Sequence, residues 1–328
     1  MKTLAVTGAS GFVGRSFIQH TAKKLKHLRL VIIDKVQPDF PIRAPHKFYQ
    51  IDLREDESDH QLLQIFRKEN CHTLLHAALQ TQPPHNLEES HELHSIGGMY
   101  LLNAAEAAKV KKLILISTTD VYGAYANNPN FLTEEHPLRG GRLSPFLKDK
   151  IDVEEQFHRF AKKHPDQTVT VLRLATILGP KINNFKTNFL QNDFVPSVMG
   201  FDPLLQFVHE NDVLSALEKV IRDSHPGIFN IVGDGVLPLS RAIKIAGKMN
   251  IPIPSPILYP ATDFLWYMNI APVPSGHLNF LKYPCIGDGS LAQKELEFKP
   301  VFTSQEALLS FVGKNLKKKD IERGAHHA

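Results

Sequence analysis

Short apolar runs alternate along the chain with longer stretches in which apolar positions recur every three or four residues. The runs at 4–6, 30–33, 73–76, 112–117, 168–172 and 229–232 predict strands. The stretches at 14–24, 59–67, 91–108 and 150–162 predict helices. Regular strand–helix alternation predicts an α/β fold with a doubly wound parallel sheet and a ligand at the carboxyl ends of its strands. Beyond Gly179-Pro180 the pattern changes to loops and short elements. This divides the chain into a Rossmann-type domain, 1–178 with 207–233 returning to it, and a smaller C-terminal substrate-binding domain, 179–206 and 234–328. Residues 251–274, IPIPSPILYPATDFLWYMNIAPVP, are rich in proline and aromatics. Proline interrupts long helices, which favours a pocket wall or domain core here over a membrane-facing patch.

Composition narrows the class. The 328 residues are 42% apolar and 22% charged, as in soluble globular enzymes rather than disordered chains. The chain enters a strand at once, so no signal segment is expected, and no apolar run nears the ~20 residues of a membrane span. Cys71 and Cys285 have no ligand or redox spacing, which reads as two free thiols in a reducing compartment, the cytoplasm. The net charge of +4 comes from dispersed lysines such as Lys23, Lys24 and Lys26, with no basic stripe interleaved with aromatics, so nucleic acid is not an expected partner. From Lys314 onward the sequence reads as a charged, frayed tail.

The first strand runs into TGASGFVG at 7–14. A glycine-rich turn between strand and helix lets the backbone approach a pyrophosphate, and the helix N-terminus offers free N–H groups and a positive dipole end. The second strand closes on Asp34, twenty residues beyond Gly14. A carboxylate there accepts from both ribose hydroxyls of adenosine and repels a 2′-phosphate. NAD is therefore expected over NADP, a preference that Lys35 softens slightly.

Further segments follow in order: Asp52-Leu53, HAA at 76–78, STTDVYG at 117–123, Lys150, LRLATILGP at 172–180, HENDV at 209–213 and DGSLAQKEL at 288–296. With them the chain resembles the extended short-chain dehydrogenase/reductase family, which includes NAD-dependent sugar-nucleotide epimerases and dehydratases. The resemblance implies a cofactor site of Gly8, Ser10, Gly11, Phe12, Val13, Gly14, Asp34, Lys35, Asp52, Leu53, Ala77, Ala78, Lys150, Leu174 and Thr176. Within it, Asp52 would accept from the adenine amino group, Leu53 would pack near the ring, and Lys150 would hold the nicotinamide ribose. Thr118 takes the position of the catalytic hydroxyl, with Thr119 and Asp120 beside the substrate. His76 reads as the end of a buried strand. The resemblance also implies a homodimer through the helices at 91–108 and 150–162.

Three departures stand out. Phe146 occupies the place of the general acid/base Tyr, four residues before Lys150, and a phenyl ring moves no proton. None of the seven tyrosines has a Lys four residues on, which leaves Asp120, Tyr122, Tyr125 and Lys150 as replacements. Leu205 stands where sugar-nucleotide members carry an Arg for the diphosphate, and Lys282 is the nearest cation to a second such position. His94 stands near a helix Asn of the family and reads as a partly buried histidine or a water relay. His85, His91 and His94 lack a carboxylate or thiol at ligand spacing, so no metal is expected. The expected function is an NAD-dependent epimerase/dehydratase-like oxidoreductase or isomerase with altered acid/base machinery, acting on a sugar nucleotide or related small hydroxylated substrate. Two alternatives stay open: an NAD-binding sensor without catalysis, or a dehydrogenase of a steroid- or lipid-like alcohol.

Overall fold

The computed structural model describes residues 2–25, 27–182, 186 and 189–313. Lys26 and the tail expected from Lys314 lie outside the described residues. In chain order the first two thirds form β1 (Lys2–Thr7), α1 (Phe12–Lys24), β2 (Leu28–Asp34), β3 (His46–Gln50), α2 (Ser58–Lys68) and β4 (Cys71–His76). They continue as α3 (Leu87–His91), α4 (Gly97–Ala107), β5 (Lys112–Thr118), α5 (Pro145–Lys163) and β6 (Thr168–Leu174). Then follow β7 (Thr176–Leu178), β8 (Phe194–Val198), β9 (Leu204–Leu205), β10 (Phe207–His209), α6 (Glu210–Arg222) and β11 (Gly227–Ile231). The remainder holds β12 (Leu237–Pro238), α7 (Leu239–Ala246), β13 (Met249–Ile253), α8 (Ser255–Tyr267), α9 (Ser290–Glu295) and α10 (Ser304–Phe311).

Seven strands pair in the order β11-β6-β5-β4-β1-β2-β3, all parallel. Successive side chains alternate between two faces, each covered by helices. Leu4 and Val6 of β1 pack with Phe17 of α1 and Leu217 of α6. Ala5 between them faces Phe66 of α2, Leu101 of α4 and Phe157 of α5. The strand order reverses between β1 and β4, which opens a crevice at their carboxyl ends. The short pairs β7–β10, β9–β12 and β8–β13 lie beyond this sheet, and a third apolar cluster, including Leu178, Val195, Phe207, Ile243 and Leu308, holds them together.

Local chemistry moved several boundaries from their expected places. Ser144 accepts from the N–H of Leu147 at 3.3 Å and Pro145 sits in the first turn, so α5 starts five residues before Lys150 and carries Phe146 as well. The helix expected at 91–108 starts at Leu87, capped by Asn86, and passes through a π-helical turn at Glu92–Ile96 before α4. At Gly98 an added Cβ would lie 2.7 Å from Val153 Cγ2, so the glycine lets α4 and α5 come close. The prolines of 251–274 do not prevent a helix: α8 carries Pro260 inside its 13 residues. Pro260 and Pro256, whose i+4 bond it deletes, are both solvent-exposed, which keeps the cost of the lost bond low. Strand β3 was not anticipated, because HKFYQ is polar and sits at the sheet edge.

A buried ion pair ties α5 to the sheet. Arg173 of β6 donates to Glu154 at 2.7 and 2.9 Å and to the Glu134 carbonyl at 3.0 Å, while Glu154 also accepts from Ser117 of β5. Both side chains are almost fully buried. Removing one partner strands the other charge in the core, at about 3–5 kcal/mol, whereas replacing both by apolar groups of similar volume is often neutral. Glu154→Gln is therefore expected to lower the unfolding free energy from urea titration by about 3–5 kcal/mol, and Glu154→Leu with Arg173→Met to recover most of it. Equal losses in the single and double variants would contradict this.

Candidate cofactor and substrate site

The turn after β1 is shaped by backbone contact. Gly8 has φ +74°, and a Cβ there would lie 2.4 Å from Cα of Ala78. A Cβ on Gly14 would lie 2.3 Å from the Gly8 carbonyl oxygen. Gly11 donates its N–H to that carbonyl at 3.2 Å, and Ala77 donates to Thr7 O at 3.1 Å. The turn thus lies flat against the exit of β4 at Ala77–Ala78, and α1 starts from it, with Phe12 and Val13 half-buried in its first turn.

The carboxylate of Asp34 closes β2 beside this turn. It accepts from Ser10 N–H at 2.8 Å and Val36 N–H at 3.2 Å, and the Ser10 hydroxyl donates to Val36 O. Lys35 points outward. Asp52 is gripped by the Arg54 guanidinium, with contacts of 2.6 to 3.1 Å, which holds its carboxyl below the usual range. Both of its oxygens accept from Arg54 and keep further acceptor capacity. Leu53 and Leu174 place their side chains in the two main cores. The glycine turn, the start of α1 and the Asp34 carboxylate form a donor set and a cradle that fit a dinucleotide.

At the end of β5, Thr118 caps a 3-10 turn, Thr119–Tyr122, its hydroxyl accepting from Asp120 N–H at 3.3 Å. Asp120 forms an ion pair with Lys186, whose ammonium also donates to Thr176 at 3.3 Å. Burial raises the Asp120 carboxyl, but the charges of Lys186, His277 and Lys150 together outweigh it and leave the group below its ordinary value. The two tyrosines named as replacements are committed elsewhere. Tyr122 donates to Asn230 at 2.8 Å and accepts from Arg173, with burial pushing its phenol up to about 12. Tyr125 donates to the Arg139 carbonyl.

On α5, Lys150 donates to the Gln80 carbonyl at 2.8 Å and lies 4.7 Å from the centre of the Phe146 ring. Burial brings its amine down to about 8. His94 meets Phe146 edge-on at 6.2 Å and is fully, not partly, buried, with both ring nitrogens unbonded. His277 lies 6.4 Å from the Phe146 ring, its Nδ1 buried and unbonded, and burial pushes it down to about 4. His91 does have a carboxylate partner, Asp149 at 2.9 Å, and His85 stacks on Trp266 at 3.7 Å. Among the described residues no cluster of three His, Cys, Asp or Glu is placed to hold a metal.

A cavity of about 570 Å³ opens beside the 3-10 turn. Thr119, Asp120, Thr176, Lys186, Leu205, His277 and Cys285 line it, whereas Thr118, Phe146 and Lys150 do not. His277 stands between the cavity and Phe146. Lys186 and His277 were missed in the sequence because neither lies in a motif. Lys282 sits over the rings of Phe201 and Tyr283, at 4.7 and 5.3 Å, and is not part of the cavity wall.

The NAD dependent epimerase/dehydratase family matches residues 4–232. The chain belongs to this family. A protein of Mycobacterium tuberculosis described only as uncharacterized is 29% identical over 312 residues, 93% of this chain and 82% of its own. The dTDP-D-glucose 4,6-dehydratase of Dictyostelium discoideum is 24% identical over 259 residues, 71% of this chain and 59% of its own. Among solved structures, dTDP-glucose 4,6-dehydratase of Bacillus anthracis in complex with NAD superposes with a TM-score of 0.74 at 16% identity, over 98% of both chains. The UDP-glucose 4-epimerase of Thermotoga maritima, with UDP-glucose, gives 0.74 at 19% identity over 95% of this chain and 98% of its own. These superpositions establish the fold, and the family is NAD-dependent. In open α/β sheets a ligand sits at such a switch point, and the β1/β4 crevice with its glycine turn fits a dinucleotide there.

Gly8→Ala adds a Cβ at positive φ against the Ala78 backbone and is expected to cost about 2–4 kcal/mol. Gly235 has a similar φ of +73° but open space around it, so Gly235→Ala should cost only ~1 kcal/mol. Thermal unfolding of the two variants checks this, and equal losses would contradict the close approach.

Proposed function

We propose that this chain is an NAD-dependent oxidoreductase or isomerase in which the Asp120–Lys186 pair, not a phenol, handles the substrate proton. The observation that carries this reading is the position of the pair. It lines the cavity directly after the strand end that holds Thr118, while the residue one turn before Lys150 is a phenyl ring.

NAD, when bound, supplies a hydride acceptor. Gly8, Ser10, Gly11, Phe12, Val13 and Gly14 would hold the pyrophosphate, and Ala77 and Ala78 keep the crevice narrow. Asp34 would exchange its Ser10 and Val36 contacts for, or share them with, ribose hydroxyls. Lys150, already donating to a carbonyl, would donate to the nicotinamide ribose. Thr118, whose hydroxyl accepts from the Asp120 N–H, positions that carboxylate at the cavity wall, and the substrate O–H proton passes to it. The Lys186 ammonium stabilises the oxygen as charge develops on it. The soluble, cytoplasmic setting and a homodimer through α4 and α5 belong to the same proposal. Among the described residues, no helix is long and apolar enough to cross a membrane.

Asp120→Asn is expected to cut turnover by about 10²–10⁴-fold with NAD affinity unchanged. Thr118→Ala should also lose turnover. Asp34→Ala should weaken NAD about 10–100-fold and narrow the preference over NADP. The assay is NADH formation with secondary alcohols, beside calorimetric titration of the cofactor. Turnover that survives both Asp120→Asn and Thr118→Ala would overturn the assignment, and tight NAD binding without any hydride transfer would make the protein a sensor. Lys150 loses its positive charge as pH rises through about 8, so NAD affinity is expected to fall above that pH and to become flat in Lys150→Met.

A further inference from the structure

The cavity beside Asp120 is polar at one end only. Thr119, Asp120, Thr176, Lys186, Cys285 and His277, whose Nδ1 is unbonded, group at the sheet end, and most of the remaining wall is aliphatic or aromatic. The other polar side chains in that wall are largely spent internally. The Gln206 amide bonds both the N–H and the carbonyl of Gly287, at 2.9 and 3.1 Å. The Thr262 hydroxyl donates to the Leu258 carbonyl at 2.8 Å. Among the described residues the one cation in the wall is Lys186, which is already paired with Asp120. A nucleotide diphosphate would bring two negative charges against a surface with no paired donors for them, and desolvating unpaired charge is costly.

The far wall continues onto the outside of the molecule. Leu265 and Ile270 line the cavity and are also exposed, Ile270 at 67%. Ile257, Phe264 and Tyr267 of α8 are exposed beside them. The loop after β4 is fastened to this region, with Gln82 donating to the Pro272 carbonyl and His85 stacked on Trp266. The cavity volume falls within the ~300–1,000 Å³ of small-molecule pockets.

We propose that the cavity takes an apolar alcohol or ketone, its single oxygen at the Thr119–Asp120 end and its hydrocarbon body along Leu205, Leu258 and Leu278, admitted between Leu265 and Ile270. This rests on the proposed acid/base reading for the orientation of the ligand, not for its class. The site therefore departs from the sugar nucleotides named for the solved relatives.

The test uses the full chain and dodecanol bearing a nitrobenzoxadiazole fluorophore, below its aggregation concentration. Saturable binding of one probe per chain is expected, displaced by unlabelled dodecanol and not by UDP-glucose. Leu278→Arg should weaken it by about tenfold or more. Because Leu278 is buried, Ile270→Glu at the mouth provides a variant on an exposed residue. It should weaken or slow probe binding severalfold while NAD binding stays as in the parent protein. Probe binding and its displacement are read without turnover, whereas the acid/base reading is tested by NADH formation, so failure of that reading is distinguishable from failure of this one. Displacement of the probe by UDP-glucose, or probe binding unchanged in Ile270→Glu, would overturn the proposal.

Discussion

The close passage of the Gly8 turn over Ala77–Ala78 is the contact on which the rest of the arrangement depends. It brings the ends of β1 and β4 together without side chains between them, and it is possible only because Gly8 and Gly14 carry no Cβ. That contact aims α1 into the crevice, and through β2 it sets Asp34 within reach of Ser10 N–H. It also fixes the exit of β4, from which the chain leads to Gln80 and its bond from Lys150. One backbone contact thus couples the candidate cofactor site to the helix that carries Lys150 and Phe146.

Across the crevice, the chemistry is divided between two compartments. Lys150, Phe146 and His94 are packed in a buried layer, where burial lowers the lysine amine to about 8 and both nitrogens of His94 are without partners. Asp120 and Lys186 face a cavity instead, and the ring of His277 stands at the boundary. Phe146 carries no proton between the two compartments, and in the proposed reading proton transfer is organised from the cavity side.

Much of this was legible in the sequence because the signals are local. Apolar runs predicted six of the seven strands of the sheet, and the glycine spacing and Asp34 lie where a strand-turn-helix unit needs them. Strand β3 escaped because an edge strand has no buried run to betray it. The start of α5 at Pro145, ahead of the expected 150, is carried by Ser144-Pro145, a capping signal that lies outside the apolar periodicity. Lys186 and His277 were illegible for a different reason: they meet Asp120 and Phe146 only through tertiary packing, from segments without periodicity. The prolines of 251–274 misled about helix content, yet the reading of that stretch as a pocket wall agrees with Ile253, Leu258, Leu265 and Pro272 lining the cavity.

The account stands most directly on the cofactor crevice, and calorimetric titration of the purified protein with NAD and with NADP, after removal of any carried-over dinucleotide, tests it. The expected result is one NAD per chain, with NADP at least about tenfold weaker because the Asp34 carboxylate repels a 2′-phosphate. Absence of binding, or equal affinity for the two, would contradict the assignment of the glycine turn and Asp34.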